Sequence, residues 1–285
     1  MRKVFTLMES AIESPVPVLL QGEPGTGKEL IARTIHQRGA RGKGPFVTLR
    51  CGGMSDEVLL RELFGYCKDA VPGALLDKPG LLEAAETGTL LIDEIEEMGR
   101  VVQAELFKSL RYGEARRFGE TYPRPIDAHL IAIAQGNLSR RVEQGRFRSD
   151  LYYKIAVLEI DVPPLRERGE DIEPLALHFL EKSSRKLGRA PLSFKPEALE
   201  LLVRYAWPGN IQELEFEIER GVALLRRGEA LGVEHLSERL RLPPSKHFAP
   251  SAPPSAPLRD ARAKFERDYI AEILQQKQGN ASQTA

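Results

Sequence analysis

The residues best equipped for chemistry sit in two short stretches. Residues 22–29 read GEPGTGKE, in which Gly22, Gly27 and Lys28 have the spacing G-x-x-x-x-G-K. In such a loop the backbone N–H groups converge on phosphate oxygens, glycines permit the close approach, and the lysine brings a point charge to the outer phosphates. Glu23, Pro24, Gly25 and Thr26 complete the loop, and Glu29 stands where a magnesium-binding Ser or Thr is usual. The second stretch, TLLIDEI, ends an apolar run in two acids, Asp93 and Glu94. Asp93 is placed to hold Mg2+ directly or through water, and Glu94 to orient and polarise an attacking water. The pair predicts ATP and Mg2+ as ligands. The five histidines are scattered with no pair at metal-ligand spacing.

These residues need strands and helices to hold them. VPVLL, Val16 to Leu20, reads as a buried strand leading into the loop, and ELIARTIHQRG after it as a helix with Leu30, Ile31, Thr34 and Ile35 on one face, stopping at Gly39. PFVTLRC, GTLLIDEI and HLIAIAQ read as three more strands, with helical stretches such as VVQAELFKSLRYG between them. Alternating strands and helices predict an α/β fold with a mostly parallel sheet between helical layers. After DVPPLRERGEDI the strand signals stop, so residues 1–168 read as a nucleotide-binding α/β part and 169–242 as an all-helical one. A Pro/Ala/Ser linker over 243–258 and a last helical segment over 259–285 follow. The 285 residues, 42% hydrophobic and with zero formal net charge, support a sizeable core and point to no nucleic-acid or membrane surface. With two cysteines, no signal peptide and no long apolar span, the chain is expected to be soluble and cytoplasmic.

VLLQGEPGTGKELIARTIH, ELFGY, GLLEAAETGTLLIDEI, GRFRSDLYYKI, VPPLRERGEDI and WPGNIQELE occur in this order. Together they resemble the central AAA+ ATPase domain of bacterial enhancer-binding proteins, the sigma-54-dependent activators. The resemblance implies a P-loop AAA+ sheet sandwiched by helices with a small helical lid. It also implies a ring of the chain with itself, usually a hexamer, holding ATP between neighbours. Arg148 takes the place of the family's arginine finger and Lys154 that of a second arginine. The resemblance explains Glu29, because GTGKE is the family's usual form. It also implies a surface loop that pushes on sigma-54 bound to RNA polymerase. FERDYIAEILQQ resembles the first helix of a Fis-type helix-turn-helix whose recognition helix is expected to be missing here, so upstream DNA would be bound only through a complete C-terminal motif.

Several positions depart from the family. The sigma-contact loop, Asp69, Ala70, Val71, Pro72, Gly73 and Ala74, reads DAVPGA in place of GAFTGA. Pro72 removes a donor and fixes φ at the tip. Arg50 replaces the asparagine that holds the catalytic glutamate, and an Arg50–Glu94 charge pair is expected to lock Glu94 away from water. Ala134 and Gln135 replace a Thr–Asn sensor pair, and Gln212 an arginine that would reach the γ-phosphate. Two readings result: an ATP-hydrolysing remodeller of sigma-54 polymerase, impaired in its contact, and a nucleotide-binding regulatory module with weak or absent ATPase.

Overall fold

The computed structural model describes residues 1–188, 192–226 and 228–241. Five strands form one parallel sheet: β1 (Val18–Gly22), β2 (Phe46–Arg50), β3 (Thr89–Asp93), β4 (His129–Gln135) and β5 (Leu158–Asp161). Their spatial order is β2-β3-β4-β1-β5. The apolar runs predicted the first four, with β1 starting two residues later than VPVLL; β5 was not predicted. Its short run carries Glu159 and Asp161, and their alternation with Leu158 and Ile160 is too brief to stand out from the neighbouring helix and prolines.

Successive side chains of a strand face opposite sides, so the sheet serves two cores. On one side Leu19, Leu49, Leu90, Ile92 and Ala132 pack with residues of α3 (Asp56–Phe64), α4 (Arg100–Tyr112) and α5 (Ser149–Ile155). On the other, Val18, Leu20, Leu91, Ile131, Ile133 and Ile160 meet Val4, Met8 and Ala11 of α1 (Arg2–Glu13) and Ala32 and Ile35 of α2 (Lys28–Arg38). The helix after the loop ends as predicted, before Gly39. Its inward face differs from the expected one: Lys28, Ala32, Ile35 and His36 are buried, while Leu30 is 70% exposed. The cause lies at both ends of the helix. Lys28 points into the loop, and His36 Nδ1 meets Thr89 Oγ1 of β3 at 2.9 Å, which fixes the helix rotation.

Two hairpins leave the sheet side by side, Gly65–Tyr66 with Lys78–Pro79 and Glu114–Ala115 with Arg124–Pro125. Beyond Val162 the elements of the described residues are helical: α6 (Ile172–Lys186), α7 (Pro196–Arg204) and α8 (Asn210–Leu224) surround a third core of Leu165, Ile172, Ala176, Leu180, Leu202, Trp207, Leu214 and Ile218. Trp207 is fully buried, and its Nε1 donates to Leu202 O at 2.8 Å. Residues Met1–Arg241 form one compact unit. The expected linker over 243–258 and helical segment over 259–285 lie outside the described residues. Among the described residues, no helix is long and apolar enough to cross a membrane.

Candidate nucleotide site

The glycine loop links the end of β1 to the first turn of α2. Gly22, Gly25 and Gly27 have φ of 145°, 74° and 96°, backbone that residues with a Cβ rarely adopt. Space excludes a side chain as well: a Cβ on Gly22 would stand 2.5 Å from Val162 O, and one on Gly25 would collide with Gly209 O. Lys28 is buried, and its Nζ donates to Gly22 O at 2.6 Å and Glu23 O at 2.8 Å. Thr26 Oγ1 donates to Glu23 O at 2.8 Å. Burial lowers the Lys28 pKa from its ordinary value, while Asp93, Glu96, Glu23 and Glu94 pull it back up. The loop is therefore a left-handed glycine turn folded around an ammonium that holds two of its carbonyls, and in such a turn backbone N–H groups and the lysine can take phosphate oxygens.

Asp93 ends β3, two strands from β1, and Glu94 leaves the strand in the left-handed region at φ 57°. Asp93 Oδ1 accepts the Glu94 N–H at 3.0 Å. The expected pairing of Arg50 with Glu94 is corrected by the structure. Arg50 lies opposite Asp93 in the parallel register of β2 and β3, so its Nε meets Asp93 Oδ2 at 3.4 Å and its Nη2 stands 4.0 Å from Glu29. Glu94 is held by Gln135 at the end of β4, whose Nε2 donates to Glu94 Oε1 at 2.7 Å. Its carboxylate rests against Gly52, where a Cβ would overlap Oε2.

Glu96 was not singled out in the sequence. It is buried, its Oε1 accepts the Gln135 N–H at 2.7 Å, and its Oε2 has no hydrogen-bond partner. Burial raises its pKa. A carboxylate amid "DEIEE" reads as one of a solvated run, and only the turn after β3 reveals that it points inward.

The helical part lies directly over the loop. Gln212 N donates to Gly25 O at 3.3 Å, so this residue sits at the glycine loop. Three other residues there went unnoticed. Asn210, fully buried at φ 55°, accepts the Leu165 N–H on Oδ1 at 2.8 Å and donates from Nδ2 to Pro24 O at 2.9 Å and Glu23 Oε2 at 3.2 Å. Arg166 forms a two-pronged pair with Glu23 at 2.6 and 2.8 Å. Arg168, buried, donates to Thr26 O at 2.9 Å. VPPLRER and WPGN carried the signal as motifs, but the contacts join residues more than 140 apart in sequence.

Other predicted residues lie elsewhere. Arg148, at the start of α5, pairs with Asp150 through Nε at 3.0 Å and Nη2 at 2.6 Å; the hydrogen bond holds the Asp150 carboxyl below its usual range. Lys154 is exposed on the same helix. Neither touches Lys28, Asp93 or Glu94 among the described contacts. Asp69 to Ala74 form a closed turn: Ala74 N donates to Val71 O at 3.0 Å and Asp69 N to Ala74 O at 2.9 Å, with Gly73 at φ 81°. Pro-Gly in its centre is the pair a type II turn requires. The base is held by Lys68 N on Asp77 Oδ1 at 2.7 Å and Cys67 N on Phe118 O of the second hairpin at 2.9 Å. Leu75 and Leu76 beside it are 81% and 77% exposed. On the helical part Glu229, Glu234 and His235 converge, a grouping that no sequence spacing suggested. His235 Nδ1 accepts the Gly232 N–H and Glu234 pairs with Lys195, so two of the three groups already have partners.

Residues 1–161 match the model of the sigma-54 interaction domain, and residues 166–252 that of an AAA+ ATPase lid domain. The chain is 40% identical to the regulatory protein AtoC of Escherichia coli, over 95% of this chain and 59% of AtoC. It is 39% identical to the transcriptional regulatory protein ZraR of Klebsiella oxytoca, over 100% of this chain and 63% of ZraR. The chain thus spans about three-fifths of the length of these curated relatives. A crystal structure of NtrX from Brucella abortus in complex with ADP superposes with a TM-score of 0.78 at 31% identity, covering 100% of this chain and 64% of NtrX. The parallel sheet, the glycine loop, the helical lid and these matches agree: the chain belongs to the sigma-54 interaction domain family of AAA+ transcriptional regulators.

Proposed function

We propose that this chain binds and hydrolyses ATP between the subunits of a ring, hexameric in the resemblance, to remodel sigma-54 RNA polymerase, with an altered sigma-54 contact. The observation that carries the reading is the meeting of the left-handed glycine cradle after β1, the buried Lys28, and Asp93 with Glu94 at the end of β3 in the same sheet. Phosphates fit the loop N–H groups and Lys28, which would exchange its two carbonyl partners for phosphate oxygens. Asp93 offers the carboxylate for Mg2+, which when bound neutralises phosphate charge. Arg50 at 3.4 Å competes for the same oxygen and must turn away. Glu94 polarises the attacking water and takes its proton as the oxygen bonds to the γ-phosphorus and the bond from that phosphorus to the bridging oxygen of ADP breaks, and it must first leave Gln135. Arg148 of a neighbouring subunit would stabilise the transferring phosphoryl after parting from Asp150. The NtrX structures with ADP and ATP support nucleotide binding by analogy.

Calorimetric titration with a non-hydrolysable ATP analogue and Mg2+ tests the core of this reading. Saturable binding by the parent, lost in Lys28→Ala, is expected; a folded parent that does not bind overturns it. A second reading, a nucleotide-binding regulatory module without sigma-54 activation, is favoured by the closed Val71–Ala74 turn and by the Gln135–Glu94 bond. Open-complex formation on a premelted promoter separates the two, because it does not depend on a DNA-binding motif.

A further inference from the structure

Glu23 has two ends that face different parts of the molecule. Its carbonyl accepts the Lys28 ammonium at 2.8 Å, the group that phosphate would draw away. Its carboxylate leaves the loop and reaches the helical part, where Arg166 Nη2 and Nη1 donate at 2.6 and 2.8 Å and Asn210 Nδ2 at 3.2 Å. Arg166 lies in the short 3-10 turn Leu165–Glu167 that leads from the sheet into the lid, and Asn210 begins α8. Asn210 also joins these two points to each other, because its Oδ1 accepts the Leu165 N–H. Backbone closeness leaves little slack: a Cβ on Gly25 would meet Gly209 O, and Gln212 N already donates to Gly25 O.

We infer that Glu23 is a latch between the phosphate loop and the lid, a positioning residue that converts phosphate occupancy of the loop into movement of α8 and the Leu165–Glu167 turn. The inference rests on the proposed nucleotide binding. When Lys28 Nζ leaves the Glu23 carbonyl for phosphate, the peptide at residue 23 loses one of its two donors; Thr26 Oγ1 alone remains. The peptide and the carboxylate belong to one residue, so reorientation of the first displaces the second, and with it Arg166 and Asn210. Arg166 chiefly, with Asn210 and Lys28, holds the Glu23 carboxyl below its ordinary pKa, so the latch is charged at neutral pH. The pair is partly exposed, with 43% and 39% of the two side chains reached by solvent. It is therefore a connection that can be cut without unfolding the lid.

Trp207 makes this measurable. It is the chain's single tryptophan and stands three residues before Asn210, buried in the lid core. ADP with Mg2+ is titrated into the parent, Glu23→Gln, Arg166→Gln and Arg166→Lys, following Trp207 emission and hydrogen exchange of residues 196–224, with binding measured separately by calorimetry. The parent is expected to bind ADP with a change in emission and in lid exchange. Arg166→Gln should bind within about fivefold of the parent, the scale of one exposed ion pair, and both Gln variants, compared with the parent at saturating ADP, should lose at least about two-thirds of both responses. Arg166→Lys, which keeps the charge, should recover part of them. Binding with the full lid response in both Gln variants overturns the latch, as does a parent that binds ADP with no lid response. A folded parent that does not bind ADP at all overturns the nucleotide reading and the latch with it.

Discussion

Removing the Gln135 amide tests which side chain restrains Glu94. In Gln135→Ala the 2.7 Å bond to Glu94 Oε1 is lost, while the Gln135 backbone N–H keeps its partner Glu96. A hydrogen bond to a charged acceptor is worth about 1.5–3 kcal/mol. Gln135 is exposed and Glu94 half-buried, so the lower end applies. At a factor of ten for about 1.4 kcal/mol, freeing Glu94 should raise steady-state phosphate release about tenfold. Arg50→Asn should change it by less than about fivefold. The Arg50 guanidinium is 62% exposed and meets Asp93, 16% exposed, at 3.4 Å, a contact screened by solvent at the arginine end and worth about 1 kcal/mol. The assay is phosphate release over a protein concentration series, with Glu94→Gln as the inactive reference, since in the proposed ring Arg148 would act across a subunit interface. Faster turnover in Arg50→Asn than in Gln135→Ala, or a slower Gln135→Ala than parent, would refute the assignment.

Three further outcomes are expected. Asn210→Ala should lose about 3–5 kcal/mol in urea unfolding followed by Trp207 emission: it strands the buried Leu165 N–H and leaves at φ 55° a residue without the amide that lets asparagine adopt the left-handed region, and Asn210→Gly should recover about 1 kcal/mol of the strain. The Glu217 carboxyl, buried in the lid, is pushed up by burial but pulled further down by Arg220 and Ser237, ending below its ordinary 4.5. Its contribution to stability is complete above about pH 4.5 and is lost as pH falls through the lowered value, so Glu217→Gln should flatten the acid limb of a stability–pH profile. Val71→Phe with Pro72→Thr should restore open-complex formation if hydrolysis is intact; phosphate release without open complexes would place the fault in coupling instead.

The glycine loop, the paired acids and four of the five strands were legible because each is a local pattern. The phosphate loop needs glycine where the chain turns left-handed, and a buried strand needs a continuous apolar run. Arg50 was misread for a geometric reason. Its neighbour across the sheet is set by register, which places it opposite Asp93, whereas Glu94 has already left the strand at φ 57°. Asn210 and Arg166 were visible only as letters in motifs, since their partners Glu23 and Pro24 lie in a distant part of the chain. Glu96 was hidden by its own type: a carboxylate buried with one oxygen unpartnered is contrary to what composition suggests.

The turn at Pro72-Gly73 bears on how any partner would experience this surface. Fixing the backbone of a free residue opposes binding by about 1–2 kcal/mol at 25 °C. Here proline sets one dihedral in advance, and hydrogen bonds close the turn at Val71, the loop at Asp69 and its base at Lys68 and Cys67. The tip is thus preorganised, and Leu75 and Leu76 stand beside it as exposed apolar area. Recognition by such a tip would depend on shape match, with little entropy of ordering to overcome. A partner that needs the tip to mould itself would be rejected, and one already complementary would be held by a body that moves as a single piece.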